Sequence, residues 1–165
     1  MPSTDILILS NGPGELLTWV RPVVRALRQQ LGENCTHVRL SLVLSPCPHA
    51  SGNEAEIARL DDGIDRVQEA GAFWPFLLWG KTAQNWDWHK RGVVLFLGGD
   101  RIFPIAIGRR LGYRTIVYAE WDARWQGWID RFAVMKPDVI QQAAARYRHK
   151  FSVIGDLMTD AAIGG

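Results

Sequence analysis

The sequence predicts an α/β fold, a parallel sheet with helices on both faces. Three observations carry this. Short apolar runs recur at Ile6 to Ser10, Val38 to Leu44 and Gly92 to Gly98, the last containing Val93-Val94-Leu95-Phe96-Leu97, apolar on both faces as a central parallel strand must be. Segments with helical spacing lie between them, and the runs end in loops rich in glycine or proline. Strands alternating with helices imply right-handed crossovers and ligand binding beyond the carboxyl ends of the strands.

The first run ends in Asn11-Gly12-Pro13-Gly14. Leu16, Val20, Val23, Leu27 and Leu31 then repeat at helical spacing, with Arg21, Arg25 and Arg28 off the stripe and Gly32 closing it. Pro22 must either sit in a first turn or kink that helix. Val38 to Leu44 runs into Ser45-Pro46-Cys47-Pro48, and Glu54 to Leu60 is a short helix candidate. After the central strand, Ile102, Ile105, Ala106 and Leu111 form a stripe ending at Gly112. Thr115 to Tyr118, Phe132 to Met135 and Phe151 to Ile154 read as strands, with a helix from Val139 to about Tyr147.

At 165 residues, 47% hydrophobic and 22% charged, the chain has the composition of one globular domain. Nineteen basic and 17 acidic residues are spread evenly, for a net charge of +2, so no charge block calls for nucleic acid. Cys35 and Cys47 form no CxxC, and His37, His49, His89 and His149 are scattered, so no metal site or nucleophilic triad is expected. The opening Met1 to Asp5 lacks a basic segment, no run reaches the length of a membrane span, and a reducing cytoplasm is expected. Tryptophan is abundant, eight residues with all but Trp19 between Trp74 and Trp128.

Gly12-Pro13-Gly14-Glu15 sits at the first strand-to-helix turn. It reads either as a tight turn opening a helix or as an anion cradle of backbone amides. A dinucleotide fingerprint would need a small residue at Leu17 and an acid at Ser45, which demotes NAD. Gly98-Gly99-Asp100 places a carboxylate where the central strand ends, either as a helix cap or as a general base for an acceptor hydroxyl. Glu120, on the same edge, is the second-choice acid or base. Arg101 and Arg124 are candidates for neutralising an acceptor phosphate. Phe73-Trp74-Pro75-Phe76-Leu77-Leu78-Trp79 is either a packed helix or lid, or an interfacial membrane patch through Trp74, Phe76 and Trp79, with Lys81, Lys90 and Arg91 nearby.

These residues resemble a known family. Ser10-Asn11-Gly12-Pro13-Gly14-Glu15-Leu16-Leu17 looks like the Gly-Glu-x-Ser-Gly-Asp-Leu-Leu loop of lipid A disaccharide synthases. Leu97-Gly98-Gly99-Asp100 is similar to their Gly-Ile-Asp, and Arg110-Leu111-Gly112-Tyr113-Arg114-Thr115-Ile116 to their Leu-Gly-Ile-Pro-Val-Ile. Trp121 to Trp128 resembles their tryptophan- and arginine-bearing loop. Val153-Ile154-Gly155-Asp156-Leu157-Met158-Thr159-Asp160 resembles their Val-Gly-His-Pro-Leu-Ala-Asp.

The resemblance implies a Rossmann-like domain, the amino-terminal half of a GT-B glycosyltransferase of hexosyltransferase type. Residues 1–155 would be the acceptor-side domain and 156–165 the start of the crossover to a donor domain. No cofactor is expected in this chain, the UDP-sugar donor being held on that other domain. The implied partners are a lipid-linked or sugar acceptor and, at the cytoplasmic face, a peripheral membrane contact, with no nucleic acid. Carried over by position, Asp100 matches the presumed catalytic aspartate, and Gly14 with Glu15 the acceptor-side loop. Asn11, Gly12, Gly99, Arg101 and Arg124 complete the expected substrate contacts. Asp156-Leu157 replaces the family's His-Pro and Ser10-Asn11-Gly12-Pro13 its lead-in, so the acceptor of this divergent branch need not be a lipid A precursor. Two other readings keep the fold: a natural subunit that docks a separately encoded donor domain, and a noncatalytic nucleotide- or sugar-phosphate-binding module in which Gly12 to Glu15 grips a phosphate.

Overall fold

The computed structural model describes residues 3–159. Seven strands form one all-parallel sheet: β1 Thr4–Ser10, β2 Val38–Leu44, β3 Arg66–Gln68, β4 Arg91–Phe96, β5 Arg114–Ala119, β6 Arg131–Val134 and β7 Phe151–Val153, in the order β3-β2-β1-β4-β5-β6-β7. The fold is therefore the expected α/β, Rossmann-like arrangement. The chain builds outward from β1 to β3, then crosses to the other side of β1 for β4, so the strand order reverses between β1 and β4. Alternate residues of β1 enter two separate cores. Leu7 and Leu9 join Phe73, Phe96, Ile107 and Phe132 on one face, whereas Ile8 joins Leu16, Val24, Leu42 and Leu97 on the other. A strand buried on both faces needs long apolar runs, which is why β1, β2 and β4 are conspicuous in the sequence.

The helices are α1 Pro13–Glu15, α2 Arg21–Leu31, α3 Glu54–Arg59, α4 Phe73–Trp79, α5 Ile102–Leu111 and α6 Pro137–Gln141. Between α1 and α2 the residues Leu16–Val20 form a π-turn, closed by the Arg21 amide donating to the Leu16 carbonyl five residues back. Pro22 lies in the first turn of α2, where its missing N–H costs nothing. Neither a single straight helix nor a simple kink forms. The extra residue of the π-turn absorbs the mismatch between the β1 loop and the proline.

Two expectations are corrected. The helix from Val139 to about Tyr147 is α6 followed by a separate 3-10 segment, Ala145–Lys150. The helix ends at Gln141, and three residues on the Ala144 amide donates to Gln126 Oε1 at 3.0 Å. The short strand β3 was missed, because two of its three residues, Arg66 and Gln68, are polar. Residues 160–165, including Asp160, lie outside the described residues, and so does most of the expected crossover at 156–165.

At the amino ends of the strands, Asp5 is fully buried. Arg39 grips both of its oxygens, at 2.7 and 3.0 Å, and the His89 amide and Tyr113 hydroxyl donate to Oδ2 at 2.7 and 2.9 Å. Burial alone would raise the Asp5 pKa, but these donors outweigh it and hold the carboxyl below its usual range. This network ties β1, β2, the Tyr113 turn just before β5 and the 86–89 loop together on the edge opposite the candidate site. On one flank α5 packs close to β5: a Cβ on Gly108 would stand 2.6 Å from Thr115 Cγ2 and 3.1 Å from the Tyr113 carbonyl, so only glycine fits.

Candidate functional site

The carboxyl ends of β1, β2 and β4 meet at the strand-order reversal, where doubly wound sheets open a crevice. Backbone bonds fix its floor: the Ser45 amide donates to the Ser10 carbonyl at 2.9 Å and the Leu97 amide to the Leu9 carbonyl at 2.8 Å. Around that floor stand three polar atoms buried without a partner, Ser10 Oγ, Asn11 Oδ1 and Ser45 Oγ. Ser10 is 0% and Ser45 2% exposed. All three face Gly98-Gly99. A Cβ on Gly98 would lie 2.8 Å from Asn11 Oδ1 and 3.5 Å from Ser10 Oγ, and one on Gly99, whose φ is +109, would lie 2.9 Å from Ser45 Oγ. The absence of a Cβ at the two glycines is what lets these oxygens pack directly against them, where no group of the protein satisfies them. Buried groups of this kind normally have partners, and each left unpaired costs about 1–3 kcal/mol. Asn11 also lines a cavity of about 280 Å³ that runs between the β1 loop, α3 and the Glu69 to Gly71 segment.

The predicted site residues separate into groups. Asn11, Gly12, Glu15 and Gly99 border the crevice. Gly14 is exposed on the outer side of the turn, its carbonyl accepting from Thr18 Oγ1 at 2.8 Å. The Glu15 side chain folds back over Gly12, its carboxylate occupying the space a Cβ there would take. The turn therefore does not present an empty amide cradle, because its own carboxylate lies over it.

Asp100 is exposed, and its Oδ1 accepts from the Ile102 amide at 3.0 Å, the helix-cap role at the start of α5. Glu120 is half-buried at the end of β5. Burial, then the charges of Asp156 and Glu15, raise its pKa above the ordinary glutamate value. Arg101 and Arg124 are both engaged by Asp122: Arg101 through a short contact to Oδ1, and Arg124 at 3.4 Å from Oδ2. In the following loop Trp125 adopts a left-handed backbone, φ +65, and its carbonyl accepts from the amides of Trp128 and Ile129. That turn leaves Trp121, Trp125 and Trp128 exposed.

The Phe73 to Trp79 segment is α4, a packed helix on one side and an open one on the other. Phe76 does not reach the outer surface expected of a membrane contact. It is 1% exposed and stacks on Trp88, because Phe73 and Phe76, three residues apart, share the inward stripe. Trp74, Leu78 and Trp79 point outward. Among the described residues no helix is long and apolar enough to cross a membrane, and no group of His, Cys, Asp and Glu side chains is placed to hold a metal.

Sequence reasoning missed Ser10 and Ser45 as site residues. The available signal is that each is a hydroxyl directly after an apolar run, Ser10 as the last residue of β1 and Ser45 just past β2. No protein-family model matches this chain, and no curated protein matches it. The resemblance to lipid A disaccharide synthases therefore rests on the residues quoted for it.

Proposed function

We propose that this chain is the acceptor-binding domain of a sugar-nucleotide-dependent glycosyltransferase related to lipid A disaccharide synthases. The observation that carries the reading is the group of unpartnered oxygens, Ser10 Oγ, Asn11 Oδ1 and Ser45 Oγ, packed against Gly98-Gly99 where β1, β2 and β4 end. A polyhydroxyl ligand satisfies such groups, donating to Asn11 and exchanging hydrogen bonds with the two serines. The order of the resembling motifs along the chain supplies the reaction class.

Glycosyl transfer needs a base that takes the proton of the acceptor hydroxyl as it attacks the anomeric carbon of the donor. Glu120 suits this better than Asp100. Its environment raises its proton affinity above that of an ordinary glutamate, whereas Asp100 already accepts a backbone hydrogen bond in solvent. Asp100 then holds the first amide of α5. The UDP-sugar is held by a second domain, and the outward Trp74, Leu78 and Trp79 support a peripheral contact with the cytoplasmic membrane face that would supply a lipid-linked acceptor. The Glu15 carboxylate over Gly12 weighs against the noncatalytic phosphate-gripping alternative.

Calorimetry tests the division of labour. UDP-glucose should bind this chain weakly or not at all, and a micromolar site, about −8 kcal/mol, refutes it. With a donor domain supplied, Glu120→Gln should lower turnover by about 10² to 10⁴, while Asp100→Asn lowers it far less. The reverse ranking returns the base to Asp100.

A further inference from the structure

Helices and loops cover the sheet on both faces, and the two covering layers differ on their outer sides. On one face α4, α5 and the loop from β5 to β6 set Phe73, Phe76, Ile105, Ile107, Ala123 and Ile129 into a common core. On the other lie α2 and α3, with Val24, Ala55 and Ala58 in the second core. Of the eight tryptophans, the five exposed ones all belong to the first layer: Trp74 and Trp79 on α4, and Trp121, Trp125 and Trp128 in the loop. Neither α2 nor α3 contains an aromatic residue. Single exposed apolar side chains are ordinary, whereas several large rings gathered on one side of a domain mark a contact surface.

The helix α5 joins the two aromatic groups. Toward α4, the Arg110 guanidinium donates to the Phe76 and Leu78 carbonyls, each at 2.8 Å, and Phe103 meets the Trp74 ring edge-on at 6.2 Å. Toward the loop, the Arg109 guanidinium lies 4.0 Å from the centre of the Trp128 ring. Carbonyls and an indole ring carry no net charge, so both arginines keep theirs. The loop itself is pinned, because Lys150 Nζ donates to the Gln126 and Ile129 carbonyls, each at 2.8 Å. Its indoles are therefore held out by a fixed turn.

Charge identifies what this surface meets. The sequence has no acidic residue between Glu69 and Asp87 or between Asp100 and Glu120, the two stretches that contain α4 and α5. Lys81, Arg109 and Arg110 lie in those stretches and are exposed. In the loop, Asp122 is engaged by Arg101 and Arg124, and at the loop's end Asp130 accepts from the Thr115 amide at 2.8 Å. Indoles interleaved with cations suit an anionic bilayer: the rings settle at headgroup level and the guanidiniums meet lipid phosphates.

We propose that α4, α5 and the 121–128 loop lie together, flat on an anionic bilayer, with Arg109 and Trp128 as a second anchor beside the α4 ridge. The proposal rests on the membrane contact read from Trp74, Leu78 and Trp79 and deepens it, naming the lipid class and the orientation. One helix alone leaves a domain free to pivot on the surface. Two anchors in one layer set the sheet parallel to the membrane, so the crevice at the carboxyl ends of the strands opens sideways along the lipid surface.

The test is co-sedimentation of the full chain with vesicles of phosphatidylcholine, pure or mixed with phosphatidylglycerol. Wild type should bind the mixed vesicles far better than the pure ones. Trp128→Ser should weaken that binding, Arg109→Gln should weaken it about fivefold, and Arg109→Lys, which keeps the charge, should largely preserve it. If Trp128→Ser and Arg109→Gln bind like wild type while Trp74→Ser is impaired, the second anchor is overturned and the α4 contact stands. Equal binding to both vesicle types overturns the anionic preference. Self-association without vesicles that Trp128→Ser abolishes would assign the face to a protein partner instead and overturn the proposal. A wild-type chain that ignores both vesicle types sinks the proposal and the α4 contact together.

Discussion

The Tyr113 hydroxyl donates a 2.9 Å hydrogen bond to Oδ2 of Asp5, joining residues 108 apart in sequence at the buried amino edge of the sheet. It lies 2.6 Å from the His89 carbonyl as well, so one phenol secures β1 and the loop that precedes β4. Burial and the hydrogen bond to Asp5 push the Tyr113 pKa well up, in keeping with a proton held on the phenol.

Stability should therefore fall in acid. Asp5 has a folded pKa lowered from 3.8, so its contribution is fully present above that value and is lost as pH falls through the lower folded one. Urea unfolding from pH 6 down to pH 2 should show the loss for wild type, and Asp5→Asn should flatten the acid end. Tyr113→Phe, which removes one donor from a buried carboxylate, should cost about 1–3 kcal/mol at neutral pH. An Asp5→Asn variant as stable as wild type at pH 6 would contradict the network's role.

Gly108→Ala should destabilise by about 1–3 kcal/mol, the usual cost of overpacking. The added methyl meets Thr115 and the Tyr113 carbonyl, neither of which can move without parting α5 from β5. Denaturation midpoints measure this. An increase in stability, as expected for alanine in an unconstrained helix, would show the interface to be looser than described.

Glu120 should titrate above an ordinary glutamate. Burial is the largest cause and Asp156 the next, so Asp156→Asn should move its midpoint down without abolishing the shift. Carbonyl NMR of the labelled side chain reads this directly, and an unchanged midpoint would remove Asp156 from the crevice.

The outward ridge of α4 predicts vesicle binding. Trp74→Ser and Trp79→Ser should each reduce co-sedimentation with anionic vesicles, while Leu60→Ser, an exposed apolar change elsewhere, should not. Wild type that ignores vesicles altogether would refute the contact.

The fold was legible wherever burial on both faces forced continuous apolar runs. The bounds of β2 fell where expected, and those of β1, β4, β5 and α5 nearly so. What escaped was set by partners distant in sequence: Gln126 holding the Ala144 amide beyond the end of α6, and β2 drawing polar Arg66 to Gln68 into the sheet. The site divided the same way. Asn11, Gly12, Gly99 and Glu120 could be placed because strand ends fix loop positions. The fates of Asp100, Arg101 and Phe76 depended on side-chain partners, Ile102, Asp122 and Trp88, that spacing does not reveal.

The π-turn at Leu16–Val20 separates two rotational settings along one helical path. An α-helix turns about 100° per residue, so the one residue it inserts offsets everything before it from everything after. Excising a single residue there would keep α2 seated on its core while swinging Trp19 away from Tyr118, whose ring it meets edge-on at 5.5 Å, and turning Gly12 and Glu15 together relative to α2. Length in this segment is thus as discriminating as composition: a chain one residue shorter would retain the sheet and lose the geometry of the mouth above it.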